Sequence, residues 1–213
     1  MAVYTIFREG LLAPGQEKTY FHVPFDVPEN ATRLEVAFQY DARISSDPTV
    51  TGGNTIDLGV FDARGIDFLS AGFRGWSGSE REHFFITHQD ATPGYLAGPL
   101  NPGRWHVLLG LYKIAPGGCH YQVSVTITTG ETSLPHPQFA PPPALGADLP
   151  ASTPPALGSP WLRGELHCHT YHSDGLFSPV ELVARARARG LDFLAISDHN
   201  TTAAQREMES LER

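Results

Sequence analysis

Nine consecutive residues, His167-Cys168-His169-Thr170-Tyr171-His172-Ser173-Asp174-Gly175, hold three of the ten histidines in the chain, together with an aspartate. Farther on, Ser197-Asp198-His199 sets another carboxylate beside another imidazole. Neutral imidazoles with a carboxylate suit zinc, manganese or iron better than magnesium or calcium. In a strand, residues i and i+2 share a face. His167 and His169 therefore point the same way, and Cys168 points to the other side, where a small buried hydrophobe is expected.

The elements around these residues must bring them together. "WLRGELHCH" reads as a strand. Ser178-Pro179-Val180-Glu181 then forms a capping box with proline at the first helical position, and Gly190 ends the helix. Val180, Val183, Ala184 and Ala188 make its expected buried stripe. "LDFLAIS" (191–197) is a near-continuous apolar run, as in a parallel strand buried on both faces, and Thr202 to Gln205 can cap one more helix. Parallel strands place both C-terminal ends on one face, where α/β barrels collect their active sites. His167, His169, Asp174 and His199 thus converge as metal ligands. Asp198, on the opposite side of its strand from His199, is expected to support the ligands from behind or to cap a helix. His172 is expected as an exposed loop residue near the cleft, where it could contact substrate rather than ligate metal. Arg185, Arg187 and Arg189 read as a solvated helix surface placed well for the helix dipole rather than as a phosphate clamp.

The rest of the chain is of another kind. Residues 1–130 alternate apolar and polar in "RLEVAFQYDA" (33–42), "TIDLGVFD" (55–62), "RWHVLLGLYKI" (104–114) and "CHYQVSVTITT" (119–129), with shorter candidates in "YTIFRE", "KTYFHVPF" and "HFFITH". Seven or eight strands without a helix predict an antiparallel sandwich. Residues 131–160 hold nine of the eighteen prolines, the composition of a semi-rigid linker. The expected division is therefore a β-sandwich over 1–130, a linker over 131–160 and an α/β segment over 161–213.

Lys and Arg number 15 against 23 Asp and Glu, a net charge of −8. That balance excludes a general electrostatic grip on nucleic acid or an anionic membrane, though not a nucleotide as small substrate. The two cysteines, Cys119 and Cys168, build neither a disulfide framework nor a cysteine zinc site. No signal core and no long apolar run stand in the sequence, so a cytoplasmic location is the default expectation.

The composite of strand, H-x-H-T-x-x-S-D-G, capped helix, apolar strand and S-D-H resembles the first two motifs of the PHP (polymerase and histidinol phosphatase) superfamily of metal-dependent phosphoesterases. The preceding sandwich and proline-rich segment look like its CehA/McbA-type metallohydrolase branch. The resemblance spans Trp161 to Arg213 and implies the first β-α-β-α units of a distorted (β/α)7 barrel around two or three metal ions. It places His167, His169, Asp174 and His199 on metal-ligand positions. It also implies hydrolysis of phosphoesters, among them nucleoside 3′,5′-bisphosphates and RNA ends, or of carbamate esters. The family takes further ligands, a glutamate, two histidines and an Asp-x-His, from farther along its barrel. The expected barrel is accordingly a fragment whose activity alone is low, and no nucleophile with a triad context is present.

A second class of function stays open: a non-catalytic sandwich that binds carbohydrate or protein, with the α/β tail as a relic. In the sandwich, Arg74, Trp76 and Tyr95 stand in Gly-rich stretches, "FRGWSGSERE" (73–82) and "TPGYLAGPL" (92–100). They read either as substrate-binding residues over the metal cleft or as residues that pack turns. His22, His83, His88, His106 and His120 share no spacing and read as ordinary strand residues.

Overall fold

The computed structural model describes residues 1–130 and 162–211; the expected linker at 131–160 lies outside them. The chain divides into two compact units, Met1–Leu134 and Pro135–Arg213.

In the first unit, period-2 sequence patterns become strands, and the apolar members of each pattern become the core. β8 (Cys119–Thr129) shows this most plainly, with every odd residue buried and every even one exposed or half-buried. It sits inside one four-stranded antiparallel sheet, β1 (Ala2–Leu12), β8, β3 (Ala31–Tyr40) and β6 (His83–Thr87). The second sheet runs β2 (Thr19–Val27), β7 (Gly103–Lys113), β4 (Thr55–Phe61) and β5 (Phe73–Gly78), again antiparallel. Between the sheets lie Phe25, Leu34, Val36, Leu58, Trp105, Leu109 and Val125, with Trp105 fully enclosed and its indole N–H donated to the Asn101 carbonyl at 2.7 Å.

The strand β5 falls in the Gly-rich stretch at 73–82, which is not among the expected strands because glycine at 75 and 78 hides the alternation. The outer face of its sheet is covered by Phe61, Phe73 and Trp76. The Trp76 indole lies on a floor of two glycines. A Cβ on Gly59 would meet its ring at 2.8 Å, and one on Gly110 at 2.6 Å. Cross-strand glycines thus explain why β7 is buried on both faces through its middle.

The second unit contains β9 (Gly164–Cys168), α1 (Pro179–Ala188), β10 (Phe193–Ile196) and α2 (Ala203–Leu211). β9 and β10 pair in parallel as a two-stranded sheet. The expected barrel is thereby corrected: two strands close nothing, and the described chain is dominated by antiparallel sheet. β10 is not buried on both faces either; Phe193 is exposed and the other three residues half-buried, with α1 the helix that packs beside them among the described elements. The local helix signals hold. Ser178 caps α1, accepting the Glu181 N–H at 3.2 Å, and the Glu181 carboxylate accepts the Ser178 N–H at 2.8 Å. Its fully buried positions are Pro179 and Ala186, while Val180, Val183 and Ala184 are half-covered and Ala188 is exposed.

Candidate metal centre

β9 ends at Cys168, and the chain turns at Thr170 to Gly175 before entering α1. The turn folds back on the strand end so closely that a Cβ on Gly175 would lie 2.1 Å from the His169 carbonyl oxygen. Only glycine fits there, and its fit swings Asp174 towards the histidines. One carboxylate oxygen of Asp174 lies 2.5 Å from His169 Nδ1. The other lies 3.5 Å from His199 Nε2, which arrives from the end of β10. Donor atoms of His169, Asp174 and His199 all lie within 4.8 Å of one another. His167 joins through His169, their Nε2 atoms 2.9 Å apart, and stands outside that trio.

The 3.5 Å between Asp174 and His199 is near the spacing of two ligands on one ion, whereas the 2.5 Å contact of Asp174 with His169 Nδ1 is a hydrogen bond. Ligand atoms held about 2.0–2.1 Å from a tetrahedral zinc are about 3.3 Å from each other. Burial alone would raise the Asp174 carboxyl, but the His169 hydrogen bond and the neighbouring His169 and His199 rings outweigh it and hold the group below the usual carboxylate range. The carboxylate therefore stays ionised.

Asp198 braces the turn from the neighbouring strand. Its Oδ1 accepts the Thr170 N–H at 2.6 Å and the Ser173 hydroxyl at 2.7 Å, and its Oδ2 accepts the Thr170 hydroxyl at 2.6 Å. The T-x-x-S spacing and the Asp before His199 thus form one clamp across the two strand ends. Behind the strand, the Cys168 thiol donates to the Ala195 carbonyl at 3.2 Å. Burial, then Glu165 and Asp198, pushes its pKa up, so it stays a neutral thiol.

His172 corrects its expectation. It is 8% exposed, and its Nε2 lies 2.7 Å from Glu207 Oε2 on α2. The Tyr171 hydroxyl donates to the same oxygen at 2.8 Å. Burial works to raise Glu207, yet the His172 and Tyr171 hydrogen bonds and the His172 charge lower it overall. Sequence reading missed Glu207, because it lies mid-helix with no motif of its own and only the fold brings it under the turn. Arg185 stacks its guanidinium on Phe177, 3.8 Å from the ring centre, in line with a surface role for that helix face.

The three sandwich residues do something else. Arg74 is 2% exposed. It donates to the carbonyls of Leu96, Gly98 and Pro99 and pairs with Asp62 at 3.1 Å. Tyr95 stacks on Phe84 at 3.9 Å, and Ser77 Oγ is 2.9 Å from its hydroxyl. Trp76 lies on the glycine floor already described. Their reading as substrate-binding residues is corrected: all three are interior side chains that fasten loops to the sandwich.

No family model matches the chain. It is similar to a 5′-3′ exoribonuclease of Haemophilus influenzae, 53% identical over 45 residues, which cover 21% of this chain and 16% of that protein. The 5′-3′ exoribonuclease Rnm of Salmonella typhimurium is 55% identical over 40 residues, 19% of this chain and 14% of its own length. The chain thus spans about a sixth of the curated relatives it matches. A periplasmic inhibitor of g-type lysozyme from Aeromonas hydrophila aligns with 59% of the chain and 86% of its own, at a TM-score of 0.33 and 11% identity. These findings correct the resemblance to the PHP superfamily and its CehA/McbA branch. No family model supports that placement, and the relatives carry the name of exoribonucleases.

Proposed function

We propose that His169, Asp174 and His199, with His167 alongside, hold a divalent metal, and that the metal serves hydrolysis of phosphoesters. The observation that carries the reading is the convergence of three donors from two strand ends and one turn within 4.8 Å. The relatives' names make RNA the favoured substrate, and a 5′ end the favoured point of attack. A nucleoside 3′,5′-bisphosphate is the small substrate of the same chemistry. Zinc, manganese and iron all suit two or three imidazoles and one carboxylate.

Such an ion supplies Lewis acidity and lowers the pKa of a water towards about 7. The chain's own residues supply the rest. Asp174 brings negative charge between the rings of His169 and His199, and it remains ionised because those rings outweigh its partial burial. Asp198 and Gly175 fix the turn so that the carboxylate and rings meet without rearrangement, which keeps the donors preorganised. With a net charge of −8, the chain as a whole offers no general electrostatic attraction for a long nucleic acid. Recognition therefore falls on the phosphate at the metal and suits short RNA or a nucleotide.

Metal titration of the full chain, stripped with chelator and followed by calorimetry with zinc and manganese, tests the reading. One tight site, lost in His169→Ala and weakened in Asp174→Ala, is expected. Release of nucleoside monophosphates from a 5′-phosphorylated oligoribonucleotide then tests the substrate. A wild-type chain that binds neither ion below about millimolar concentration would refute the metal reading.

A further inference from the structure

A sandwich sheet has two edge strands, and each exposes a row of backbone N–H and C=O groups that invite pairing with another chain. Three of the four edges here carry a protecting device. β2 has Pro24 at its middle, which interrupts the donor row. β5 is overlaid by residues 94–96, with Trp76 N–H donated to the Gly94 carbonyl and Leu96 N–H to the Arg74 carbonyl. β6 is overlaid by residues 90–92, through Thr87 N–H on the Asp90 carbonyl and Thr92 N–H on the Phe85 carbonyl.

β1 has none of these. It is eleven residues long, pairs with β8 without a register shift, and contains neither proline nor lysine. Side-chain contacts fix which of its residues face outwards. The Thr129 hydroxyl donates to the Ala2 carbonyl at 3.4 Å, so Ala2 faces β8. On the other side of β8, the Asp41 N–H donates to His120 and the Thr32 hydroxyl to Thr128, so the even residues of β8 face β3. Its odd residues therefore face β1, where they meet the even residues of that strand. Val3, Thr5, Phe7, Glu9 and Leu11 are left to point their N–H and C=O groups outwards. Among the described residues, the contact on that row is from Arg8, which donates to the Phe7 carbonyl at 2.9 Å.

We infer that β1 is the interface of a symmetric dimer, in which two copies of this chain join edge to edge into one eight-stranded sheet. A two-fold axis normal to the sheet, with the whole of Ala2–Leu12 used, sets the register: Phe7 faces Phe7 of the second copy, Thr5 faces Glu9, and Val3 faces Leu11. All five outward-facing residues then fall in hydrogen-bonded pairs, and about ten backbone bonds form. The register also keeps Arg8 from standing opposite Arg8, and Glu9 opposite Glu9. The strand has the apolar surface to match. Val3, Tyr4, Phe7 and Leu11 are 59%, 43%, 74% and 56% exposed. That is roughly 400 Å² of side-chain surface per copy. With the backbone edge added, the total comes to at most about 1,200 Å², the lower end for a specific interface. A dissociable, micromolar dimer is the fitting state.

The test is light scattering after size exclusion on the full chain between about 1 and 200 µM, with a cross-link at the axis. Phe7→Cys in a Cys168→Ser background places two thiols on Cα atoms about 5.5 Å apart, within disulfide reach. Expected results are a concentration-dependent mass of twice the chain and a Phe7→Cys dimer that forms on mild oxidation. Phe7→Lys should raise the dissociation constant at least about tenfold, with an unchanged circular-dichroism spectrum. Tyr20→Lys, an exposed aromatic on the other sheet, should leave association unaltered. A chain that is monomeric throughout, a dimer indifferent to Phe7→Lys, or no cross-link at position 7 would overturn the inference. A monomer whose β1 is protected from hydrogen exchange would assign the edge to residues 131–161 instead.

Discussion

Removing the Asp198 carboxylate should loosen the proposed metal centre without touching a proposed ligand, and the size of the effect can be worked from the clamp. Asp198→Ala deletes three hydrogen bonds, from the Thr170 N–H, the Thr170 hydroxyl and the Ser173 hydroxyl. Thr170 is fully buried, so its N–H loses its acceptor and its hydroxyl loses the group it donates to, keeping only the His172 N–H that it accepts at 3.1 Å; each lost donor bond costs about 1–3 kcal/mol. A loss of about 2–6 kcal/mol in the stability of the turn follows. Because the turn carries Asp174, ligand positioning should suffer too, and zinc or manganese affinity should fall about 10–100-fold. Asp198→Asn is the informative companion. Its amide oxygen can still accept from the Thr170 N–H and the Ser173 hydroxyl, while its NH₂ turns the Thr170 hydroxyl into an acceptor. The charge is lost but the geometry is kept, so a loss of about 1–2 kcal/mol is expected. Calorimetric titration of wild type and both variants checks the series. Affinity unchanged in Asp198→Ala, or lost equally in both variants, would refute the argument that the clamp acts through geometry.

Four other outcomes follow from the structure. Cys168→Ser should leave metal affinity within about twofold, since the thiol faces Ala195, and titration checks it. Glu207→Gln should weaken the hold on Tyr171 and His172 and cost about 1–2 kcal/mol, read by urea unfolding at pH 7. Arg74→Met strips the fully buried Asp62 of one of its two arginines, and thermal unfolding should report a loss of about 3–5 kcal/mol. Asp57 is pushed up to about 6 by burial and then by Glu80. Its protonated form is the one the fold favours, so stability should fall as pH rises from about 4 to 6, and Asp57→Asn should remove that slope and gain about 2 kcal/mol at pH 7. Identical pH profiles for wild type and variant would contradict the assignment.

How far the sequence carries depends on how local each signal is. Alternation in β8 and the Ser178–Glu181 box are read within a few residues, and both appear as read. The approach of His169, Asp174 and His199 was legible for a similar reason, because spacing within a strand and a turn fixes direction, while His167 stands outside that trio. β5 escaped because two glycines remove the very side chains on which alternation is judged. Arg74, Trp76 and Tyr95 left two readings open because a polar or aromatic residue in a Gly-rich stretch looks alike whether it faces solvent or the interior. The partners that decide the matter, Asp62 and the Leu96 carbonyl for Arg74, are set only by tertiary packing. His172 and Glu207 meet across 35 positions, beyond any local pattern. The barrel expectation failed at a different level. Motifs that fit a larger architecture describe two strands and two helices equally well.

The pairing of β1 with β8 has a consequence for how the protein is made. Ala2 lies opposite Thr129, so the first strand of the sandwich completes its sheet only when the last one exists. On a ribosome adding about 5–20 residues per second, β1 spends several seconds without its partner, its apolar residues and backbone row open to neighbouring chains. High contact order of this sort slows folding and lengthens that exposure. The same closure brings the two ends of the sandwich together, with Met1 packed against Gly130. A circular permutant that joins those ends and opens a surface loop between β3 and β4 would synthesise β1 directly after β8. It should fold faster and aggregate less during translation, with the native sheet order unchanged.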